Sequence, residues 1–119
     1  KKKIILIDRF KDSTIAYQHY GMGIDLNFIN LINNFLLEKI KVNFTFLNVV
    51  NKKNLIQRLR KRKKLNRYDK FNMNFYDKVQ KGFLKIAKSN KKTYKIIDSN
   101  NDIKYNENLI LSQITKLIK

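Results

Sequence analysis

Ile4-Ile5-Leu6-Ile7-Asp8-Arg9-Phe10-Lys11-Asp12-Ser13-Thr14-Ile15-Ala16-Tyr17-Gln18 is the stretch on which the reading of this chain turns. Four consecutive aliphatic residues read as a strand buried on both faces, the habit of parallel sheets covered by helices. Open parallel sheets bind ligands at the carboxyl ends of their strands. Asp8 and Arg9 stand at that end, a carboxylate beside a planar fork able to hold two phosphate oxygens at once. An ion pair at a strand end, capping the following helix, would use the same two residues. Their chemistry leaves both readings open.

Outward from this stretch, hydrophobic spacing gives alternating strands and helices. Asp12 to about Tyr20 predicts a short helix, with Asp12 or Ser13 as its cap. Gly21-Met22-Gly23 breaks it, and Asp25 starts a longer helix running to about Lys39. Asn27, Asn30 and Asn34 share one polar stripe of that helix. Ile24, Phe28, Leu31 and Phe35, with Ile29, Ile32, Leu36 and Ile40, fill most of the rest. A helix apolar over more than half its surface must bury two faces. One would meet the sheet, and the other either a second subunit or another element of the same one.

Residues 42–50 read as a largely buried strand, and Asn51 as the cap of a helix burying Leu55, Ile56 and Leu59. Residues 61–70 are basic and poor in apolar side chains, hence a loop or frayed helix end. Phe71, Phe75, Val79, Phe83 and Ile86 recur at helical spacing as core positions. Residues 94–98 form the last strand. Residues 106–118 close the chain as a helix burying Ile110, Ile114 and Leu117 or Ile118. The β-α-β-α order predicts a parallel α/β sheet with right-handed crossovers, in one domain over residues 1–119.

Composition narrows the function classes. With no cysteine there is neither a disulfide framework nor a thiolate metal site. No apolar run approaches the length of a membrane span, so a soluble, cytoplasmic protein is the default. The net charge of +18 invites a small basic nucleic-acid-binding module. The lysines, however, are scattered through every segment. Abundant Lys, Asn and Ile without proline is also the composition of an AT-rich genome. Part of the excess has a local use if the chain holds phosphates. His19, the one histidine, reads as a surface residue.

The ordered string Asp8-Arg9-Phe10, Ser13, Ala16-Tyr17-Gln18 and Gly21-Met22-Gly23 resembles the nucleoside-monophosphate kinases, most closely the bacterial thymidylate kinases. The resemblance continues through residues 42–50, the helix from Leu55 into a lid at about 61–70, and Phe75, Val79, Gly82-Phe83-Leu84 and Ala87. It ends at Ile96-Ile97-Asp98. It implies a P-loop NTPase-like parallel sheet flanked by helices, and transfer of the ATP γ-phosphoryl group to dTMP with Mg²⁺. Another monophosphate or deoxynucleoside kinase is the nearest alternative. A phosphate cradle, Gly-x-x-x-x-Gly-Lys-Ser/Thr, is not found among the three glycines. The resemblance therefore implies a C-terminal portion, with the cradle upstream and this chain inactive alone.

The same resemblance assigns roles. Arg9 becomes the clamp on the acceptor phosphate, and Asp8 lies near the metal, reaching it through water. Ser13, Thr14, Tyr17 and Gln18 contact thymine and deoxyribose, with Tyr17 crowding the 2′ position. On a helix Ser13, Tyr17 and Tyr20 or Gly21 would share one face, with Thr14 and Gln18 adjacent. Arg62 and Arg67 match the lid arginines that close over ATP, although Asn66 stands where the family usually has an acid. Ser99 and Asn100 match the loop near the adenine. The catalytic set is thus Asp8, Arg9, Arg62 and Arg67. A homodimer through the helix at 25–39 is implied, with no specific nucleic acid and no membrane as partners.

Overall fold

The computed structural model describes residues 3–64 and 72–119. In chain order the described elements are α1 (Lys11–Thr14), a π-helix (Ile15–Gly21), α2 (Leu26–Leu37), β1 (Thr45–Val49), α3 (Lys52–Lys61), α4 (Met73–Ser89), β2 (Tyr94–Asp98) and α5 (Ile103–Ile118). β1 and β2 pair in parallel, with Leu47 opposite Ile96 and Asn48 opposite Ile97. Paired residues point the same way and neighbours along a strand point oppositely. Leu47 and Ile97, both buried, therefore close opposite faces of the sheet. This is the α/β arrangement expected, with helices flanking a parallel ladder.

Side-chain caps start the helices where the sequence supplies them. Asp25 accepts from Phe28 N–H at 2.8 Å and Asn51 from Asn54 N–H at 2.8 Å, as expected. Asn72 does the same for α4, accepting from Phe75 N–H at 2.9 Å. Asp102 caps α5, which begins three residues before the expected start, its carboxylate accepting from Lys104 and Tyr105 N–H groups. The strand expected at 42–50 is shorter, and the last strand is as expected. Neither Asp12 nor Ser13 caps α1; the cap position is Phe10, without a side-chain bond. Asp12 instead accepts from the Tyr94 hydroxyl, joining α1 to the start of β2. Burial, reinforced by that carboxylate, pushes the Tyr94 phenol above its ordinary pKa near 10, so at neutral pH it stays a donor.

Two expectations need correction. Residues 3–7 are not a strand: they run without a strand partner among the described residues, and Ile4–Ile7 are 54–84% exposed. Apolarity marks a segment that would be stable when buried, but a strand exists only where a neighbour supplies its hydrogen bonds. The helix at 25–39 also fails to bury two faces in one subunit. Ile29 is its one buried residue, while Phe28, Leu31, Phe35 and Leu36 stay exposed.

The core lies where the π-helix meets α4. Ala16, Tyr17, Phe75 and Val79 form a buried cluster with Phe83 packed against it. Gly82 permits the close approach: a Cβ there would lie 2.6 Å from the Tyr20 ring and 2.7 Å from its Cβ. Ile110 and Ile114 are half-buried, whereas Leu117 and Ile118 are exposed, contrary to expectation. Phe71 and most of the expected lid at 61–70 lie outside the described residues.

Candidate functional site

The helix after Arg9 does not continue as an ordinary α-helix. After one turn it widens into the π-helix, a rare form that occurs disproportionately at functional sites. Met22 N–H reaches Tyr17 C=O at 3.0 Å and Ile24 N–H reaches Gln18 C=O at 2.9 Å, a closure that Gly23 permits with φ at +79°. The wider turn alters the side-chain directions expected from α-helical spacing. Tyr20 packs toward Gly82 of α4 and does not line the pocket described next. Ser13, Thr14, Tyr17 and Gln18 still converge, and with Arg9 they line a pocket of about 460 Å³.

Arg9 is placed there by an unusual backbone. Its φ of +60° is left-handed, a conformation that costs a side-chain-bearing residue about 1–3 kcal/mol and that clusters at ligand clamps. Its Nη2 donates to the Tyr17 hydroxyl at 3.0 Å, and the guanidinium carbon lies 5.0 Å from the Tyr17 ring centroid. Tyr17 is 8% exposed. Its ring is 6.0 Å from Phe75 and edge-on to Phe83 at 6.2 Å. The cation is therefore held by an aromatic ring that the core itself fixes. Such a contact contributes about 0.5–2 kcal/mol, more as water is excluded. A guanidinium has five donors, so most remain for a ligand.

The sequence did not single out the opposite wall. Asn33, Leu36 and Leu37 of α2 line the same pocket. The Asn33 amide nitrogen is buried without a hydrogen-bond partner among the described residues, a donor that a bound acceptor would satisfy. The only sequence signal was that Asn33 falls off the stripe of Asn27, Asn30 and Asn34.

Asp8 is exposed and borders a larger cavity of about 1510 Å³, which Arg9, Ser13, Tyr17 and Arg62 also line. Among the described residues no three His, Cys, Asp or Glu side chains gather as a metal cage. A single carboxylate suits Mg²⁺, which keeps most of its waters and takes one or two protein oxygens. Arg67 lies outside the described residues.

Ser99 and Asn100 border neither cavity and instead fasten two loops at the carboxyl ends of the strands. Ser99 N–H donates to Val49 C=O at 2.8 Å, continuing the ladder, and Arg58 donates to Ser99 C=O at 2.6 Å. The Asn100 side-chain oxygen accepts from Asn51 N–H at 3.2 Å and from the Asn54 amide at 2.8 Å. Asp98 in turn accepts from Asn100 N–H at 2.8 Å. His19 bonds Ile24 C=O through Nδ1 at 2.7 Å and closes the turn after the π-helix. No helix among the described residues is long and apolar enough to cross a membrane.

The order of these elements is matched in known proteins. Residues 1–110 fit the family described as Thymidylate kinase. The thymidylate kinase of Sulfurihydrogenibium sp. (strain YO3AOP1) is 38% identical over 100 residues, covering 84% of this chain and 48% of that one. That of Onion yellows phytoplasma (strain OY-M) is 34% identical over 122 residues, covering all of this chain and 58% of the relative. The crystal structure of thymidylate kinase from Ehrlichia chaffeensis superposes with a TM-score of 0.58 at 30% identity, covering 94% of this chain and 49% of that one. The chain thus spans about half the length of the relatives it matches. With the parallel ladder, the π-helix pocket and a family match over 110 residues in hand, the chain belongs to the thymidylate kinase family.

Proposed function

We propose that this chain carries the monophosphate-binding part of a thymidylate kinase, an enzyme that transfers the γ-phosphoryl group of ATP to dTMP, giving dTDP and ADP. One observation carries the reading: Arg9 shares its 460 Å³ pocket with Ser13, Thr14, Tyr17 and Gln18. Phosphoryl transfer asks a protein mainly for positioning and charge stabilisation. Arg9 holds the acceptor phosphate, prepositioned by its strained backbone and by Tyr17. Ser13, Thr14 and Gln18 offer hydroxyls and an amide to thymine and deoxyribose. Tyr17, fixed between Phe75 and Phe83, cannot yield space to a ribose 2′-hydroxyl. Asp8 would hold Mg²⁺ through water. When bound, the ion neutralises charge between the two nucleotides.

Arg62 and Arg67 belong to a lid at about 61–70 that closes over ATP, and Ser99 and Asn100 to the loop near its adenine. Arg62 borders the cavity shared with Asp8 and Arg9, which supports its part. The bonds from Arg58, Asn51 and Asn54 to the Ser99–Asn100 loop support that loop's being held in a fixed shape. The exposed face of α2, with Phe35 84% exposed, supports a homodimer through that helix. The family match favours this reading over a nucleic-acid module.

Calorimetric titration with dTMP, thymidine and UMP tests it. dTMP should bind more tightly than either, and Arg9→Ala should weaken dTMP at least tenfold while leaving thymidine unchanged. Equal binding of dTMP by Arg9→Ala removes the clamp. The 119 residues alone should form no dTDP, since they hold no phosphate cradle.

A further inference from the structure

The solvent-facing side of α4 gathers charge that the rest of the chain scatters. Residues 78–95 contain seven lysines and no acidic residue, in a chain that has nine acids in all. Lys78, Lys81, Lys85 and Lys88 recur at steps of three and four residues, so they stack along one side of the helix. All four are exposed, whereas Phe75, Val79, Gly82 and Ala87 are buried on the remainder of its surface. Lys91 and Lys92, also exposed, continue the basic run in the turn before β2. None of the four helical lysines lines either cavity.

Such a row works against the helix that carries it, because like charges three or four residues apart repel. Local uses account for single members. Lys81 pairs with Asp77 at 2.8 Å, but both side chains are exposed, and exposed pairs contribute little. The Lys85 ammonium lies 5.7 Å from the Tyr20 ring centroid. Lys88, in the last turn, complements the negative end of the helix. None of these uses calls for four lysines in register with no acid between them.

A linear row of cations is matched by a linear row of anions. Successive members are separated along the axis by about 4.5–6 Å, on the scale of neighbouring phosphates in an extended strand. An anionic bilayer would call for apolar side chains beside the cations. None of the exposed large apolar side chains among the described residues belongs to α4. The row also holds no aromatic ring on which bases could stack, so recognition would stop at the backbone. We propose that this face of α4 binds the phosphate backbone of single-stranded nucleic acid, without regard to base sequence. The surface is separate from the pocket around Arg9, and the inference does not rest on the kinase reading.

The test must separate this row from the general charge of +18, which attracts any polyanion weakly. Two variants of the full chain each lose four positive charges: Lys78, Lys81, Lys85 and Lys88→Gln on the row, and Lys39, Lys41, Lys52 and Lys53→Gln elsewhere. All eight positions are exposed, and both variants should keep the circular dichroism of the parent. Fluorescence anisotropy with labelled oligodeoxyadenylate and oligodeoxycytidylate avoids thymine, the base expected in the Arg9 pocket. The parent should bind both alike, with affinity falling as salt rises at a slope of about −0.7 per phosphate contacted. The row variant should bind at least tenfold more weakly, and its slope should be shallower by about 2–3. The other variant should lose no more than about threefold, and Lys→Arg at the four row positions should restore binding. Equal losses in the two Gln variants overturn the proposal, since charge would then act without regard to place. So does a parent that prefers one oligonucleotide at least tenfold, or one whose row is needed for phosphatidylserine vesicles and not for either oligonucleotide.

Discussion

Residues 4–7 are an unbroken aliphatic run and the π-helix and α4 are of mixed polarity, yet the aliphatic run is open and the mixed junction closed. At the junction each apolar side chain has a partner within the chain: Tyr17 meets Phe75 and Phe83, and Gly21 lies against Phe75 and Val79. Ile4 to Ile7 have a cavity in front of them and remain exposed. Hydrophobicity states what a segment gains by burial, not which surface will bury it. The candidate pocket stands on the closed region, since Tyr17 is at once a core residue and the support for Arg9. The open region leads directly into the same arginine.

The largest effect should come from emptying the closed side. Phe75→Ala removes a buried ring and should cost about 3–5 kcal/mol, a large share of the stability of a domain this size. Urea unfolding followed by circular dichroism would measure it. A loss below about 1 kcal/mol would mean that the junction is no tighter than the open region.

Gly82→Ala sharpens the contrast through its sign. Inside a helix, glycine to alanine ordinarily stabilises by about 1 kcal/mol. Here the new Cβ would lie 2.6–2.7 Å from the Tyr20 ring and from that side chain's root, which cannot swing away. A net destabilisation of about 1–3 kcal/mol is expected in the same assay. Stabilisation would show that the π-helix and α4 can part without loss.

Tyr17→Phe keeps the ring and its packing but deletes the hydroxyl that accepts from Arg9. Stability should change little, while dTMP affinity should fall about three- to tenfold, within the range for one ordinary hydrogen bond of about 0.5–1.5 kcal/mol. In an Arg9→Ala background the same change should have no further effect. A full loss in that background would mean that Tyr17 acts on the sugar alone, without positioning the guanidinium.

These contrasts also mark what the sequence could convey. Elements whose signals are local were legible: the Asp25 and Asn51 caps, the helical recurrence of Phe75, Val79 and Phe83, and the strand at residues 94–98. One wall of the candidate pocket was also legible, because Arg9, Ser13, Thr14, Tyr17 and Gln18 lie within ten residues of one another; whether they bind a nucleotide is the proposal. Non-local features were not. The π-helix differs from an α-helix by about one extra residue per turn, and its Tyr20 packs against Gly82, which lies 62 residues further along the chain. Asn33 joins the pocket from a helix whose apolar pattern pointed elsewhere. The Asp12–Tyr94 bond links residues 82 apart, and no local pattern announces it. The strand expected at residues 3–7 failed for the same reason, because pairing belongs to two segments and the sequence of one cannot supply it.

The smallest expected effect bears on that failure most directly. Leu6→Ser replaces one of the most apolar side chains in the chain, and as a buried strand residue it would cost several kcal/mol. Leu6 is 84% exposed, so the free chain should lose no more than about 0.5 kcal/mol in urea unfolding. A loss of 2 kcal/mol or more would mean that residues 4–7 are already packed within one chain, and the contrast with the junction would vanish. A negligible loss shows that the stabilising potential of this run is unspent within the 119 residues.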